Sequence, residues 1–304
     1  EDPTTVATEV GELLNRAGYV AVALAHPGRE RSPLEALCRA IGVPMADCRA
    51  EACARGDTCR RDGPDGPEPG TCVVDPPSED GFCSYFKHLN YDRPNDLAAV
   101  LDWIEAQSAP GGRLEGRVDL ERVVYAGHSA GGGAAMMVAG ATREYGGTET
   151  LLGDPRPIAF VSASPQGPGD EDFTERSFTG AGCRDLAPDA SRCLTRPHLV
   201  LTGEGDVTQE HLPADRRRSF ELLPEGDKHM GYLLDADARH GFYSFSVDAC
   251  DAAPARCEAM HGWLVSAFLA FLDAYVRDSE RARAYLASDA LDVLSGGDLE
   301  VSRR

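Results

Sequence analysis

The sequence predicts an α/β fold in which helices flank a mostly parallel sheet. Three stretches predict it: a short strand that runs into a tight glycine turn and an apolar helix (residues 122–139), an apolar strand that ends in a Gly-rich loop with two carboxylates (198–206), and a closing amphipathic helix (257–276). Strands that alternate with helices are typical of parallel sheets, because parallel strands need a crossover connection. At 304 residues the chain is long enough to bury one large core.

The glycine turn is Gly127-His128-Ser129-Ala130-Gly131, a G-x-S-x-G pattern. A β-branched and aromatic run at 123–125 precedes it, and an apolar helical run at 134–139 follows. This strand–turn–helix context is typical of a nucleophile elbow, which raises the serine hydroxyl above the sheet edge. We therefore expect Ser129 to be a nucleophile and the Ala130 N–H to be one donor of an oxyanion hole.

A catalytic serine needs a base and an acid that orients the base, and with this elbow the chain order is Ser, then Asp or Glu, then His. The acid is expected in the loop after the strand at 198–202, which holds Glu204 and Asp206. Ligand-binding groups in open α/β sheets lie at the carboxyl ends of strands, so both are well placed. Asp206 is preferred because the shorter side chain suits the loop, and Glu204 is the alternative.

Four histidines follow the acid, and His240 is the expected base. It comes after the apolar run at 230–234, in a loop that can reach over the serine. His229 precedes that run, at the wrong end of the strand, and is second. His211 is expected on a solvated face, and His261 in the closing helix as a packed or surface residue.

Several segments resemble the dienelactone hydrolase-like α/β-hydrolases, a group close to platelet-activating-factor acetylhydrolases and bacterial polyester hydrolases. The matching segments are 18–28, 93–104, the elbow, 203–206 and 226–242. The resemblance implies an α/β-hydrolase fold and a serine esterase that cleaves carboxylic esters through an acyl-enzyme, with Ser129, Asp206 and His240 as the triad. The mechanism needs no metal or organic cofactor. A serine peptidase of the same fold and a non-catalytic hydrolase-fold binding protein are the alternatives.

The chain opens on a predicted helix at 4–17, whereas in such folds a strand with the second oxyanion donor precedes that helix. The first strands are therefore expected to be missing from this chain. We expect a companion polypeptide from the same precursor to supply them beside a strand at Tyr19–Ala25, because unpaired sheet edges are a liability. The alternative is a smaller version of the fold that does without these first strands.

The ten cysteines predict disulfides and an oxidising compartment, so we expect a secreted or periplasmic protein. Cys-x-x-Cys spacing is absent, which argues against the alternative, a structural zinc site. Two pairs close short loops and are expected to be local bridges, whereas the other six cysteines allow fifteen pairings. The local pairs are Cys183 with Cys193 and Cys250 with Cys257, and the open set is Cys38, Cys48, Cys53, Cys59, Cys72 and Cys83.

The open set marks an insertion at 29–91 within a catalytic domain formed by 1–28 and 92–304. The middle of the insertion, residues 57–81, is poor in apolar residues, so bridges would replace its core. The insertion is expected to form a cap or rim over Ser129. Its aromatic end is expected either to line an acyl pocket or to anchor the insertion. The residues concerned are Phe82, Tyr85, Phe86, Leu89 and Tyr91.

The formal net charge of −20 argues against nucleic-acid partners and against electrostatic docking on anionic lipid. Without an apolar run that approaches the ~20 residues needed, no membrane span is expected. The tail at 278–304 is expected to be a short helix followed by a polar extension.

Overall fold

The computed structural model describes residues 3–24, 84–145, 148–169, 173–187, 189, 192–208 and 211–304. It divides into two compact units, Glu1–Ala23 with Ala98–Arg304, and Leu24–Leu97. The first unit contains the sheet and every candidate catalytic residue. The cysteines of the open set and Phe82 lie outside the described residues, so their predicted pairings and pocket stay predictions.

Helices account for most of the regular structure, and those predicted at 4–17 and 257–276 are confirmed. The helices are α1 (Pro3–Arg16), α2 (Ser84–Ser108), α3 (Ala130–Ala139), α4 (Glu175–Phe178), α5 (Ala181–Leu186), α6 (Pro213–Glu221), α7 (Pro254–Tyr275), α8 (Glu280–Ala287) and α9 (Ala290–Ser295). Two short 3-10 helices span His240–Ser244 and Val247–Ala249. Helix α2 includes the whole 93–104 segment and runs through Pro94, and the backbone of Tyr85, Phe86, Leu89 and Tyr91 is helical. No helix of the described ranges is both long and apolar enough to cross a membrane.

The central sheet is mostly parallel, which confirms the predicted α/β class. The strands are β1 (Val123–His128), β2 (Thr142–Tyr145), β3 (Thr148–Leu151), β4 (Pro157–Ala163), β5 (His198–Gly203), β6 (Lys228–Leu233) and β7 (Leu299–Arg303). The order in the sheet is β1-β4-β5-β6-β7, with β7 antiparallel to β6 and the other pairs parallel. Strands β2 and β3 form a separate antiparallel pair. Every residue of β5 and β6 is buried, as expected of parallel strands that are covered on both faces.

The core lies between the sheet and α7. Phe268, Phe271 and Leu264 of α7 belong to one buried cluster with Leu199 and Leu201 of β5, because the apolar stripe of the helix faces the sheet. Helix α1 adds partly buried apolar side chains to the same cluster: Val10, Leu13 and Leu14. Helix α3 packs on β1 and β4 and is buried from its third residue onwards. The strand that carries the elbow is therefore held in the sheet by β4 and covered by α3.

Two predictions about the ends of the first unit were wrong. The tail forms two helices and then strand β7 rather than a polar extension, because Leu299 is buried against the sheet and the strand pairs with β6. Residues 19–24 form no strand, and Val20 and Val22 are 66% and 56% exposed. A strand needs a hydrogen-bonded neighbour, and none of the described strands pairs with this segment or with the second edge of β1. The companion strand stays a prediction.

Candidate active site

The elbow holds Ser129 in a backbone conformation that side chains rarely adopt. Its φ of 57° and ψ of −122° lie outside the main allowed regions, at a cost of about 1–3 kcal/mol. Glycine is required at Gly127, because a Cβ there would lie 2.1 Å from the Gly131 carbonyl oxygen. The chain can therefore turn directly from β1 into α3, and it leaves Ser129 at the carboxyl end of β1.

The neighbouring strand β4 fixes the elbow by two hydrogen bonds. The Ser129 N–H donates to the Ala163 carbonyl over 2.9 Å. The Ser162 hydroxyl donates to the Gly132 carbonyl over 2.9 Å, in the first turn of α3. The strained turn is thus held on both sides of Ser129. Ala130 is the first residue of α3. Because the first N–H groups of a helix have no acceptor within the helix, the Ala130 N–H can donate to a ligand.

The expected acid and base are brought together by close backbone packing. We call residues 204–208 the acid loop and residues 235–241 the histidine loop. A Cβ on Gly205 of the acid loop would lie 2.4 Å from the carbonyl oxygens of Ala236 and Ala238 in the histidine loop. Only glycine permits this approach, so the two loops meet at the carboxyl ends of β5 and β6.

The three expected catalytic side chains form one hydrogen-bonded chain. The Ser129 hydroxyl lies 2.9 Å from His240 Nε2, and His240 Nδ1 lies 2.7 Å from Asp206 Oδ1. A carboxylate only accepts, so His240 carries its proton on Nδ1 and leaves Nε2 free to accept the serine proton. Asp206 is fully buried, whereas the His240 side chain is 23% exposed.

The carboxylate of Asp206 is held by two further groups that sequence reasoning missed. The Thr202 hydroxyl donates to Asp206 Oδ2 over 2.7 Å. Arg216 of α6 lies behind the acid, with Nε 3.1 Å from both Asp206 Oδ1 and the Asp206 carbonyl oxygen. Its Nη1 donates to the carbonyls of Ser164 (2.6 Å) and Pro165 (2.9 Å). Asp206 is therefore half of a fully buried ion pair.

His128 of the elbow holds the base from the other side. Its Nε2 donates to the His240 carbonyl over 2.9 Å, and the two rings lie 4.7 Å apart. Burial, and to a smaller extent the neighbouring His240, lower the pKa of His128 to about 4. The ring is therefore neutral at pH 7, and its Nε2 must carry the proton, since a carbonyl only accepts.

The alternative acid and bases lie elsewhere or make other contacts. Glu204 accepts from the Tyr232 hydroxyl over 3.2 Å. His229 lies at the opposite end of β6 from the histidine loop, with Nε2 2.7 Å from the Tyr275 hydroxyl. His211 is buried rather than solvated as expected, and its carbonyl accepts from the Thr208 N–H over 3.0 Å. His261 packs edge-on against Phe245 of the core.

A disulfide anchors the histidine loop. Ala238 forms a β-bridge with Cys250, and the Arg239 N–H donates to the Ala249 carbonyl over 3.1 Å. Cys250 is bonded to Cys257 in the first turns of α7. The other predicted local disulfide, Cys183–Cys193, is also formed. His240 is thus tied through the bridge and the disulfide to α7, which packs on the sheet.

An open cavity of about 630 Å³ lies beside the base. Its walls combine apolar and charged groups from the acid loop, the histidine loop and the segment that follows: Glu204, Gly205, Val207, Ala236, Arg239, His240, Gly241, Asp248 and Ala249. The described part of the chain has no group of three or more His, Cys, Asp or Glu side chains that could hold a metal ion. The arrangement can move a proton between a hydroxyl and an imidazole next to a space that admits a small organic molecule.

Comparisons with known proteins identify no family. No protein-family model matches the chain, and no curated protein is significantly similar to it in sequence.

Proposed function

We propose that this protein is a serine hydrolase that cleaves carboxylic esters through an acyl-enzyme. The observation that carries the proposal is the unbroken chain Ser129–His240–Asp206, with the serine on a strained turn between a strand and a helix. A structural serine needs neither a positive φ nor an aligned imidazole. The order Ser, Asp, His along the sequence and the parallel sheet also support an α/β-hydrolase fold.

In the proposed mechanism, His240 Nε2 takes the proton of Ser129 as the hydroxyl oxygen attacks the ester carbonyl carbon. The tetrahedral oxyanion accepts from the Ala130 N–H at the start of α3, where the helix dipole favours negative charge. Asp206 holds the Nδ1–H tautomer and stabilises the imidazolium. His240 then protonates the leaving alcohol, and a water molecule repeats the sequence on the acyl-enzyme to release the acid.

The cavity beside His240 and the disulfides support two further parts of the proposal. A group that leaves with the proton from His240 departs on the side of that base, where the cavity offers room for a small alcohol. Disulfides persist in oxidising compartments, so the two described bridges support a secreted or periplasmic location.

The test is hydrolysis of p-nitrophenyl acetate and of p-nitroacetanilide, which share one acyl group and differ in the scissile bond. The wild type should cleave the ester, and Ser129→Ala should lose at least about 10⁴-fold in kcat. Ser266→Ala, which removes a hydroxyl bonded to the Gly262 carbonyl of its own helix, is the matched control and should keep wild-type turnover. Ester turnover that survives in Ser129→Ala would contradict the proposal, and preference for the anilide would favour a peptidase.

A further inference from the structure

Arg216 is a fully buried charged side chain, and its ionic partner is the expected triad acid. Its guanidinium is 1% exposed and faces the fully buried Asp206 carboxylate. Removing two charges from water costs several kcal/mol for each ion, and apolar replacements of such pairs are often as stable or more stable. A buried ion pair behind the acid of a triad therefore points to a role in the chemistry of that triad.

The charges of the site indicate what this role is. With Asp206 ionised and His240 neutral, Arg216 brings the buried site to zero net charge. If His240 gained a proton before substrate bound, its imidazolium and the Arg216 guanidinium would face the single carboxylate of Asp206. The positive charge of Arg216 makes that protonation less favourable. During attack on an ester, the imidazolium forms together with an oxyanion, so the charges again balance. Arg216 therefore destabilises protonated His240 in the free enzyme more than it destabilises the imidazolium that forms beside the oxyanion.

We propose that Arg216 is a positioning residue that keeps His240 neutral, and so able to act as a base, into mildly acidic solution. The inference rests on the proposed triad. Arg216 also ties the acid to the nucleophile, because the carbonyls that it binds, those of Ser164 and Pro165, directly follow Ala163, which accepts from the Ser129 N–H. One side chain thus joins the acid loop to the strand end beside the serine.

The other titratable groups around His240 are either neutral or exposed. His128 is neutral because burial lowers its pKa to about 4, and Tyr243 is neutral because burial raises its pKa well above the usual value. The charged groups that share the cavity with His240 are exposed to solvent, which screens them: Glu204, Arg239 and Asp248. Arg239 is also paired with Asp251 over 2.8 Å. Asp235 of the histidine loop is largely buried and is paired with Arg256 over 3.0 Å. Among the described residues, Asp206 and Arg216 are the fully buried charged groups that contact the base or its acid.

The test is the pH dependence of kcat/KM for p-nitrophenyl acetate in Arg216→Gln and Arg216→Lys. The neutral glutamine keeps hydrogen-bond donors but no charge, so the acid limb should move to higher pH by about one unit or more. Lysine restores the charge, and its acid limb should stay with the wild type. Arg218→Gln is the matched control, since Arg218 lies on the same helix but is exposed and paired with Glu175. An acid limb that stays in place in Arg216→Gln would overturn the proposal.

A second comparison serves if Arg216→Gln does not fold. Asp206→Asn and Asp206→Asn/Arg216→Gln differ only in the Arg216 charge, and the double variant leaves no unpaired ion. The midpoint at which the His240 ring titrates, followed by proton NMR, should be higher in the double variant by about one pH unit or more. Equal midpoints would overturn the proposal. This measurement needs no substrate, so a wild type without ester turnover would refute the proposed function and still leave the role of Arg216 tested.

Discussion

Removing the Cys250–Cys257 disulfide should lower catalytic activity by more than the accompanying loss of stability can explain. The bridge closes a segment with a sequence separation of 7, for which the loop-entropy relation gives about 2.4 kcal/mol of stability. For a domain of this size that loss corresponds to a fall in Tm of about 5–10 °C. The bridge also fixes Cys250, which pairs with Ala238 in the histidine loop. In Cys250→Ala/Cys257→Ala we therefore expect kcat/KM for p-nitrophenyl acetate to fall at least about 10-fold, because displacing a catalytic group by ~1 Å costs up to ~10²-fold.

The second disulfide provides a matched control. Cys183–Cys193 has a separation of 10 and a calculated contribution of about 2.7 kcal/mol, so its removal should lower Tm by a similar amount. It lies beside the carboxyl end of α3, where the Leu194 N–H donates to the Ala139 carbonyl, far along the helix from Ser129. Both double variants should be assayed at 25 °C, well below their melting temperatures, alongside thermal unfolding. If the two lose the same activity, or if neither loses any, the proposed anchoring of His240 is wrong.

The remaining predictions concern the triad and the buried histidines. His240→Ala introduced into Ser129→Ala should cost almost nothing further in kcat, because the triad acts as a unit; a second large loss would show that the two residues act separately. His229→Phe should keep ester turnover but lose about 0.5–1.5 kcal/mol of unfolding free energy in urea titrations, because the hydrogen bond between His229 Nε2 and the Tyr275 hydroxyl is lost. An inactive, fully stable variant would reinstate His229 as the base. Burial lowers the pKa of His128 to about 4, of His198 to about 3 and of His229 to about 4. Between pH 6 and 4.5 the unfolded chain therefore binds protons that the folded chain does not. As the pH is lowered through this range, the free energy of unfolding should fall by roughly 1.4 kcal/mol per pH unit for each histidine. His229→Phe should reduce that slope by one such increment, and a pH-independent free energy of unfolding in the wild type would contradict the argument.

The sequence predicted those parts of the site that depend on local geometry. Gly127 and the residues around Ser129 form a turn within a few residues, so the pattern alone predicts the elbow and the helix after it. Asp206 and His240 followed from the rule that functional side chains gather at the carboxyl ends of strands. The structure places both within hydrogen-bond distance of the expected partner.

Long-range pairing explains most of what the sequence analysis missed. Residues 19–24 have the composition of a strand, but a strand exists only beside a partner. The apolar strand β4 carries no motif and was overlooked, although it lies between the elbow strand and β5. The Gly-Gly pair at 146–147, between two short runs that each begin with threonine, was a signal for the β2–β3 pair.

The burial of Arg216 could have been predicted from the spacing of residues along α6, but not from the composition of the segment. It is the first of three consecutive arginines, and nothing in that run marks one of them as buried. The buried residues of α6 are Arg216, Ser219 and Phe220, spaced as neighbours on one face. Phe220 indicates the inward face, so the residue four positions earlier was the arginine to examine.

The most direct test of the central claim is the site of reaction with a fluorophosphonate. Intact-mass measurement of the treated wild type, followed by peptide mapping, should show one adduct, on Ser129, and Ser129→Ala should show none. Prior denaturation should also prevent the reaction, because it separates His240 and Asp206 from the serine. An adduct on another residue, or a folded wild type that does not react, would contradict the assignment of Ser129 as an activated nucleophile.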